Sequence, residues 1–311
     1  MTTRWSGCGT ALVTPFTENG DLDEAAIRRL AKRQIDGGVH FLVPCGTTGE
    51  TPTLSHAERL RVVELVAAEA AGTVAVLGGA GGYDTAAVVA LAKDMVRAGA
   101  DGILSVTPYY NKPSPEGLYR HFCAVAESVD CSVVLYNVPG RTGCNITPET
   151  LTRLASVPNI VGVKEASDDL GQMCQVCRDA SHDFSVLSGD DSYTLPMIAM
   201  GAVGVISVAS NEVPSEMAKL VNAALAGDFA AARSQHDRLF PLMQINFVES
   251  NPIPVKAALA EMGLLSARYR LPLVPPQESS RRRIAKILQD LGLLDGDTRQ
   301  APSDGPITSG A

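Results

Sequence analysis

The sequence has few aromatic residues, little charge and no long apolar run. Aromatic residues make up 5% of the 311 positions and charged residues 19%. No stretch of about 18 uncharged apolar residues occurs, so a membrane-spanning helix is excluded. The N-terminal segment MTTRWSGCGT lacks the basic and apolar regions of a secretory signal, and we expect none. The apolar content is nevertheless 45%, which excludes a chain that is disordered throughout.

The cysteines and the net charge limit the cellular compartment and the kinds of ligand that we expect. Seven cysteines, an odd number, show no disulfide framework, which favours a reducing cytoplasm. Cys174 and Cys177 form a C-x-x-C pair within a predicted helix, but no second ligand pair accompanies them, so we expect no metal. A net charge of −8 argues against a broad nucleic-acid-binding surface. An anionic substrate would therefore need a few local positive side chains.

Short β-branched runs alternate with longer, alanine-rich amphipathic segments along the chain. The runs predict strands at residues 9–14, 39–44, 73–78, 101–106, 131–136, 159–164, 184–188 and 203–208. The segments between them predict helices at residues 23–37, 55–71, 84–98, 115–129, 148–156, 168–181, 192–200 and 214–226. Ser55 with Glu58 predicts a capping box, and Thr147 followed by Pro148 predicts a capped helix start.

Eight strand–helix units favour a closed barrel over an open sheet. The strands are continuous apolar runs, which suits a parallel sheet covered by helices. An open doubly wound sheet usually stops at about six strands, and no strand here is followed by G-x-G-x-x-G. We therefore predict an α/β fold with a (β/α)8 TIM barrel in residues 1–227.

The remaining residues predict helices and a tail. Helical patterns at residues 228–247, 252–262 and 279–294 predict a small C-terminal helical domain within residues 228–295. Residues 296–311 are polar and rich in glycine and proline, and we predict a disordered tail.

Lys164 ends the sixth predicted strand, in the segment NIVGVKEAS. Active sites of barrels lie at the C-terminal ends of the strands. The other lysines lie in predicted helices or turns, where we expect their charge to be solvated. Burying a lysine is costly unless it is paired or loses its proton, and a neutral amine can attack a ketone to form a Schiff base. A structural ion pair, for instance with Glu165, explains the position equally well.

The segment VVLYNVPGRTG, which ends the fifth predicted strand, offers two further candidates. Tyr136 could relay protons to and from a Schiff-base intermediate, or it could be a packed aromatic residue. Arg141 suits a bidentate carboxylate clamp, although an arginine in a Pro-Gly turn more often anchors a loop.

Two other strand ends carry polar groups. In GTTGE, Thr47 and Thr48 lie between glycines, so hydroxyls and backbone N–H groups could converge on a carboxylate or a phosphate. A Gly-rich turn without ligand is the alternative. In TPYYN, Tyr109 and Tyr110 are adjacent and therefore point in different directions, so one could face the site and the other an interface.

Taken together, these motifs resemble the dihydrodipicolinate synthase / N-acetylneuraminate lyase family. The similarity covers residues 5–295, and the arginine in PGRTG, together with TPYYN, is similar to the dihydrodipicolinate synthase branch. The segments that carry the resemblance are GTTGE, TPYYN, YNVPGRTG, VGVKEAS, LSGDD and NPIPVK.

The resemblance implies class I aldolase chemistry on a barrel with a C-terminal helical domain. Lys164 would form an imine with pyruvate, and Tyr136 would shuttle protons. Thr48 would link Tyr136 to Tyr110, which in the family reaches in from a neighbouring subunit. Thr47 and Thr48 would bind the pyruvate carboxylate. The imine activates the substrate, so neither a metal nor an organic cofactor is implied.

The resemblance also implies the second substrate and the assembly. Arg141 would hold the carboxylate of L-aspartate-4-semialdehyde, and Gly189 and Ile206 match positions that line the site. The product would be 4-hydroxy-tetrahydrodipicolinate, an intermediate of lysine and diaminopimelate biosynthesis. The implied assembly is a cytoplasmic homotetramer built as a dimer of dimers, with no nucleic-acid or membrane partner.

Two alternative functions remain open on this basis. Another pyruvate-dependent class I aldolase or lyase would keep Lys164 but accept a different aldehyde. A non-catalytic binding protein on the same barrel would have no reason to keep Lys164, Tyr136 and Thr48 together.

The chain departs from lysine-inhibited members of the family at their effector site. His56 matches one of the effector residues, whereas Arg59 replaces a second histidine. Tyr83 and Ala87 replace an asparagine and a glutamate. Because the cationic effector loses a carboxylate partner, we expect L-lysine to inhibit weakly or not at all.

Overall fold

The fold is a closed barrel of parallel strands, seen in a computed structural model that describes residues 5–294. Each strand pairs with the next along the chain, and the last pairs with the first, which confirms the predicted (β/α)8 barrel. The strands are β1 (Gly7–Ala11), β2 (Phe41–Val43), β3 (Ala75–Gly79), β4 (Gly102–Val106), β5 (Ser132–Asn137), β6 (Ile160–Glu165), β7 (Ser185–Ser188) and β8 (Gly204–Ser207).

Helices follow the strands and continue beyond the barrel. They are α1 (Glu24–Asp36), α2 (His56–Ala70), α3 (Thr85–Arg97), α4 (Pro115–Glu127), α5 (Pro139–Thr142), α6 (Pro148–Leu154), α7 (Leu170–Asp179), α8 (Thr194–Ala199), α9 (Pro214–Leu225), α10 (Phe229–Ile245), α11 (Ile253–Glu261) and α12 (Glu278–Asp290). Among residues 5–294, no helix is long and apolar enough to cross a membrane.

Alternation along each strand divides the apolar side chains between two layers. In β4, Leu104 joins the cluster inside the barrel, whereas its neighbour Ile103 joins the cluster between the strands and the helices. In β5, Tyr136 lies inside and Leu135 outside in the same way. Both faces of the strands are therefore covered, which explains why they are apolar throughout.

Both predicted helix starts are confirmed. The Ser55 hydroxyl accepts from the backbone N–H of Glu58, whose carboxylate accepts from the backbone N–H of Ser55. Thr147 caps α6, and Pro148 occupies its first turn.

Some predicted boundaries were wrong. The first strand ends at Ala11 rather than at residue 14, and the helix predicted at 192–200 begins with a 3₁₀ turn at Asp191–Tyr193. The Pro-Gly turn that carries Arg141 forms the short helix α5, because Pro139 starts a single turn that Gly143 ends at a φ of 67°.

The C-terminal helices pack against the barrel instead of standing apart from it. One apolar cluster includes Val205 of β8, Leu220 of α9, Leu242 of α10 and Leu288 of α12. The division at residue 227 stays a prediction, since the core is continuous across it. The tail predicted at residues 296–311 lies outside the described residues.

Candidate active site

Lys164 and Tyr136 lie side by side at the C-terminal ends of adjacent strands. They are partners in the register of β6 and β5. Lys164 Nζ lies 4.3 Å from the centre of the Tyr136 ring. Only 5% of Lys164 and 6% of Tyr136 are exposed. The register of two parallel strands therefore brings an amine and a phenol together in the barrel interior.

The alternative pairing of Lys164 with Glu165 does not occur. Because side chains alternate along a strand, Glu165 points to the opposite face of β6. There its carboxylate accepts from Asn137 Nδ2 at 3.1 Å and from the backbone N–H of Ser167 at 2.8 Å. Burial raises the pKa of Glu165, although these hydrogen bonds oppose the shift. Among the ion pairs of residues 5–294, none includes Lys164.

A cavity of about 260 Å³ opens at this end of the barrel. Thr47, Tyr109, Tyr136 and Arg141 line it, together with backbone of the β3 end around Gly79. The walls are mostly apolar, and the polar side chains among them include two arginines, Arg59 and Arg141. Such a cavity fits a small substrate that carries a carboxylate.

The GTTGE segment forms a tight turn next to this cavity. Thr47–Gly49 is a 3₁₀ turn. The Thr51 hydroxyl donates a hydrogen bond across it to Gly46 O at 2.8 Å. Thr48 is buried, and its Oγ1 accepts a hydrogen bond from Asn251 Nδ2 at 3.0 Å. Within the described chain the Thr48 hydroxyl donates no hydrogen bond of its own.

The expectation that every lysine other than Lys164 is solvated was wrong for Lys256. Lys256 is fully buried, and its ammonium donates to the carboxylate of Glu50 and to Thr14 O, the latter at 3.0 Å. It lies 4.3 Å from the centre of the Phe16 ring and 5.2 Å from that of Tyr269. The ion pair between Lys256 of α11 and Glu50 of the GTTGE segment takes the place of hydration of the ammonium group. A helical sequence pattern cannot predict such a pair, because the partner lies far away in the sequence.

Arg141 projects from α5 and is exposed, with Nη2 3.4 Å from the carbonyl oxygen of Asn251. Among the described residues this weak contact is the guanidinium's one hydrogen bond, which leaves its other N–H groups for an acceptor in the cavity. Its place in the cavity lining, a few residues beyond Tyr136, allows a carboxylate clamp above the phenol.

The two tyrosines of TPYYN point in different directions. Tyr109 lines the cavity and packs edge-on against Tyr83, with ring centres 5.3 Å apart. Tyr110 is 90% exposed and has a φ of 71°, so it projects away from the cavity of its own chain.

Gly189 and Ile206 flank the barrel interior near Lys164. The N–H of Gly189 donates to Glu165 O at 2.7 Å, and a Cβ there would lie 2.5 Å from the Cβ of Ala166. Any larger residue would push β7 away from β6 at the level of the lysine. Ile206 is fully buried in the same interior cluster as Tyr136. Neither residue lines the cavity directly.

Sequence reasoning assigned no role to Asn251 and misjudged Lys256. Both belong to the NPIPVK segment, which carries the family resemblance, but the sequence did not predict the contacts that its side chains make. The signal that was missed is its combination of an amide and a lysine within an otherwise apolar stretch.

A closed parallel barrel with a buried lysine and a tyrosine beside a small cavity at the C-terminal strand ends is characteristic of a barrel enzyme. The model of the dihydrodipicolinate synthetase family matches residues 4–291. The chain belongs to this family.

The similarity to individual relatives extends over nearly the whole chain. A 4-hydroxy-tetrahydrodipicolinate synthase of Koribacter versatilis is 53% identical over 293 residues, which are 94% of this chain and 98% of the relative. A solved structure described as the first monomeric dihydrodipicolinate synthase variant is 44% identical, with a TM-score of 0.92, and covers 94% of this chain and 98% of its own. The dihydrodipicolinate synthase of Acinetobacter baumannii, complexed with pyruvate, is 39% identical, with a TM-score of 0.91 and coverage of 93% and 99%.

Proposed function

We propose that this protein condenses pyruvate with L-aspartate-4-semialdehyde to form 4-hydroxy-tetrahydrodipicolinate. The observation that carries the proposal is Lys164, which is buried at the end of β6, contacts the Tyr136 ring and has no ion-pair partner among residues 5–294. The names of the relatives supply the reaction, since both the synthase of Koribacter versatilis and the pyruvate complex belong to the same family.

The reaction proceeds through a covalent intermediate on Lys164. The amine attacks the ketone carbon of pyruvate, and loss of water gives a protonated imine. The imine withdraws electrons, so a methyl proton leaves and an enamine forms. The enamine carbon attacks the aldehyde carbon of the semialdehyde, whose oxygen takes up a proton. The amino group of the semialdehyde then attacks the imine carbon, and Lys164 leaves as the free amine.

Tyr136 is the group closest to these proton transfers. Its phenol projects into the cavity lining while its ring contacts Lys164, so it can donate a proton to the departing water and remove one later. Thr48 would connect Tyr136 to Tyr110 of a neighbouring subunit, which completes the proton relay.

Carboxylate recognition is divided between two elements of the cavity. Thr47 and Thr48 would hold the pyruvate carboxylate with hydroxyl and backbone donors of the 3₁₀ turn. Arg141 would hold the carboxylate of the semialdehyde, for which its guanidinium is exposed. Gly189 and Ile206 would shape the barrel interior around the imine.

The assembly that we propose is a cytoplasmic homotetramer, a dimer of dimers. Its support is the exposed Tyr110, which a single chain leaves outside its own cavity. One solved relative is described as a monomeric variant, so the family itself includes a chain without this assembly.

Borohydride trapping tests the covalent step directly. Pyruvate followed by borohydride should reduce the imine and leave a stable adduct on Lys164 alone, read by peptide mass spectrometry. Lys164→Arg should abolish the adduct. Lys93→Arg, which changes an exposed lysine of α3, should keep it.

Two results would contradict the proposal. An adduct on another lysine, or none at all, would refute Lys164 as the nucleophile. If the adduct forms but a panel of aldehydes shows turnover with a different aldehyde and not with the semialdehyde, the protein is another pyruvate-dependent aldolase of the same family.

A further inference from the structure

Lys256 connects the C-terminal helices to the turn that carries Thr47. Its side chain is fully buried, and its ammonium donates to the carboxylate of Glu50, the last residue of GTTGE, and to Thr14 O at 3.0 Å. The carboxylate of Glu50 also accepts from the backbone N–H of Arg270, at 3.3 Å. Segments that are far apart in the sequence therefore meet at one buried ion pair.

Hydrogen bonds lead from this ion pair to the turn itself. The backbone N–H of Glu50 donates to Thr47 O at 3.1 Å. Thr14, whose carbonyl oxygen accepts from Lys256, uses its hydroxyl to donate to Gly49 O at 2.7 Å. Both residues that receive the ammonium are thus bonded to the turn, one through its backbone N–H and the other through its hydroxyl.

The backbone at the two ends of this turn departs from the conformations that most residues prefer. Cys45, just before GTTGE, has a φ of 58°, and Glu50 has a φ of 53°. Residues other than glycine rarely occupy this left-handed region, because their Cβ crowds the backbone. Such a conformation persists where the surrounding contacts hold it. At Glu50 those contacts include the buried ion pair.

A buried ion pair stabilises a fold only weakly, because desolvation of the two charges offsets their attraction. The geometry that this pair fixes explains its presence better. We propose that Lys256 and Glu50 are positioning residues, which hold the GTTGE turn in the conformation in which Thr47 lines the cavity and binds the pyruvate carboxylate. Thr47 lines that cavity together with Tyr136 and Arg141. This inference rests on the proposed function, since it concerns the binding of the same substrate.

A double substitution removes the ion pair without leaving a buried charge. Glu50→Gln with Lys256→Met keeps the approximate size of both side chains, whereas Lys256→Met alone would leave the Glu50 carboxylate buried without its cation and would destabilise the fold. The matched control is Glu18→Gln with Arg268→Met. It removes an exposed ion pair between the barrel and the C-terminal segment, in which Arg268 Nε lies 2.7 Å from Glu18 Oε2.

A second variant tests the same turn without changing a charge. Thr14→Val removes the hydroxyl that donates to Gly49 O, while the carbonyl oxygen of residue 14 stays available to Lys256. The turn therefore loses one of its two connections to the ion pair, and the ion pair itself remains. Circular dichroism and urea unfolding establish that each variant is folded.

The readout separates the two substrates. The half-saturating concentration of pyruvate is obtained from the yield of the borohydride adduct, measured by mass spectrometry of the intact protein. Steady-state rates at saturating pyruvate give kcat and the KM of the semialdehyde. We expect the double variant to raise half-saturating pyruvate about tenfold, the effect of losing one charge-assisted hydrogen bond to the carboxylate. Thr14→Val should raise it by a smaller factor, while kcat and the semialdehyde KM should stay near their wild-type values.

Each outcome supports or overturns the positioning role. A folded double variant with the half-saturating pyruvate of the wild type would overturn it. An equal rise in the Glu18→Gln, Arg268→Met control, or parallel losses for both substrates, would also overturn it, because both indicate a general effect on the fold. If the double variant does not fold, Thr14→Val decides, and an unchanged half-saturating concentration would overturn the role.

Failure of the proposed function is distinguishable from these results. Wild-type protein that forms no adduct with pyruvate would overturn the proposed function and the inference together. Wild-type protein that forms the adduct but does not condense the semialdehyde would overturn only the proposed second substrate. The half-saturating concentration of pyruvate would then still test the role of Lys256 and Glu50.

Discussion

Arg141 and Tyr110 are exposed in a single chain, whereas Lys164, Tyr136 and Thr48 are buried. The buried residues are held by strand register and by the tight turn, so their geometry exists before a substrate arrives. The exposed residues have few contacts of their own, and their roles depend on what binds to them. Variants of the exposed residues should therefore change substrate binding or assembly while leaving imine formation at Lys164 possible.

Arg141→Ala should impair use of the semialdehyde more than imine formation with pyruvate. The loss of a charge-assisted contact costs about 1.5–3 kcal/mol, or roughly tenfold to a hundredfold in kcat/KM for the semialdehyde. Steady-state kinetics and borohydride trapping of the same preparation measure the two steps. Arg120→Ala, which changes an exposed arginine of α4, serves as the control. Equal loss of trapping would show that Arg141 instead supports the whole site.

At the scale of elements, α2 and α3 border a second cavity of about 320 Å³ beside the first. His56, Arg59, Tyr83 and Ala87 all line it, so the positions compared in the sequence do come together. The Nε2 of His56 lies 3.0 Å from Asp94 Oδ2, which leaves the imidazole already paired.

L-Lysine should inhibit this enzyme weakly or not at all. Ala87 supplies no carboxylate for an ammonium group, and Arg59 adds a positive charge to the same cavity. Initial rates across a lysine titration at subsaturating pyruvate give the inhibition constant. The triple variant Arg59→His, Tyr83→Asn, Ala87→Glu restores the family pattern and should gain inhibition. Strong inhibition of the wild type at physiological lysine would contradict the interpretation.

Another element-scale feature is the buried carboxyl of Asp191 between β7 and α8. Its Oδ2 accepts from the backbone N–H groups of Val208 and Ala209 at 3.0 and 2.9 Å, while Oδ1 has no partner within residues 5–294. Burial raises the pKa of Asp191 to about 6 from 3.8, and its hydrogen bonds only partly offset this. Between about pH 4 and pH 6 the Asp191 carboxyl therefore keeps its proton in the folded chain but loses it in the unfolded chain.

The contribution of Asp191 to the unfolding free energy should accordingly fall as the pH rises from about 4 to 6, and Asp191→Asn should remove that loss. The asparagine resembles the protonated acid and cannot ionise. Relative to the wild type, the variant should gain about 2 kcal/mol in unfolding free energy between about pH 4.5 and pH 7.5. Urea unfolding of both proteins at these two pH values measures the difference. A stability difference that does not change with pH would rule out titration of Asp191 in this range.

At the scale of the whole molecule, the proposed role of Tyr110 would make the assembly part of the mechanism. Tyr110 is 90% exposed and does not line the cavity of its own chain, so the proposed relay would take this phenol from a second copy.

Tyr110→Phe should lower turnover without unfolding the chain, because it removes only a hydroxyl. A mixture of the impaired Tyr110→Phe and the inactive Lys164→Arg subunits should gain activity over either variant alone after dissociation and reassembly. In a mixed pair, the chain with an intact Lys164 receives an intact Tyr110 from its neighbour. Tyr119→Phe on α4 is the control for loss of a phenol remote from the site. No recovery in the mixture, or full activity of a diluted wild-type monomer, would refute the shared site.

The amino-acid sequence was sufficient to predict the features that depend on short stretches of chain. The capping box at Ser55 depends on a partner three residues away. The strands were predicted from apolar runs that alternate with helical segments, which is also a local pattern. Eight such runs were enough to predict the barrel, and the barrel placed Lys164 at the C-terminal end of a strand, where barrel enzymes have their active sites. Family motifs then supplied roles for residues such as Thr48 and Arg141.

Contacts between residues that are far apart in the sequence became visible in the folded chain alone. It paired Lys256 with Glu50, joined Asn251 to Thr48, and turned Tyr109 inwards and Tyr110 outwards. No local pattern contains this information, because a lysine on a helix has the same local sequence signal whether water or another segment covers it. Burial and pairing of polar groups depend on how the closed barrel and the C-terminal helices pack together, and packing is a property of the whole chain.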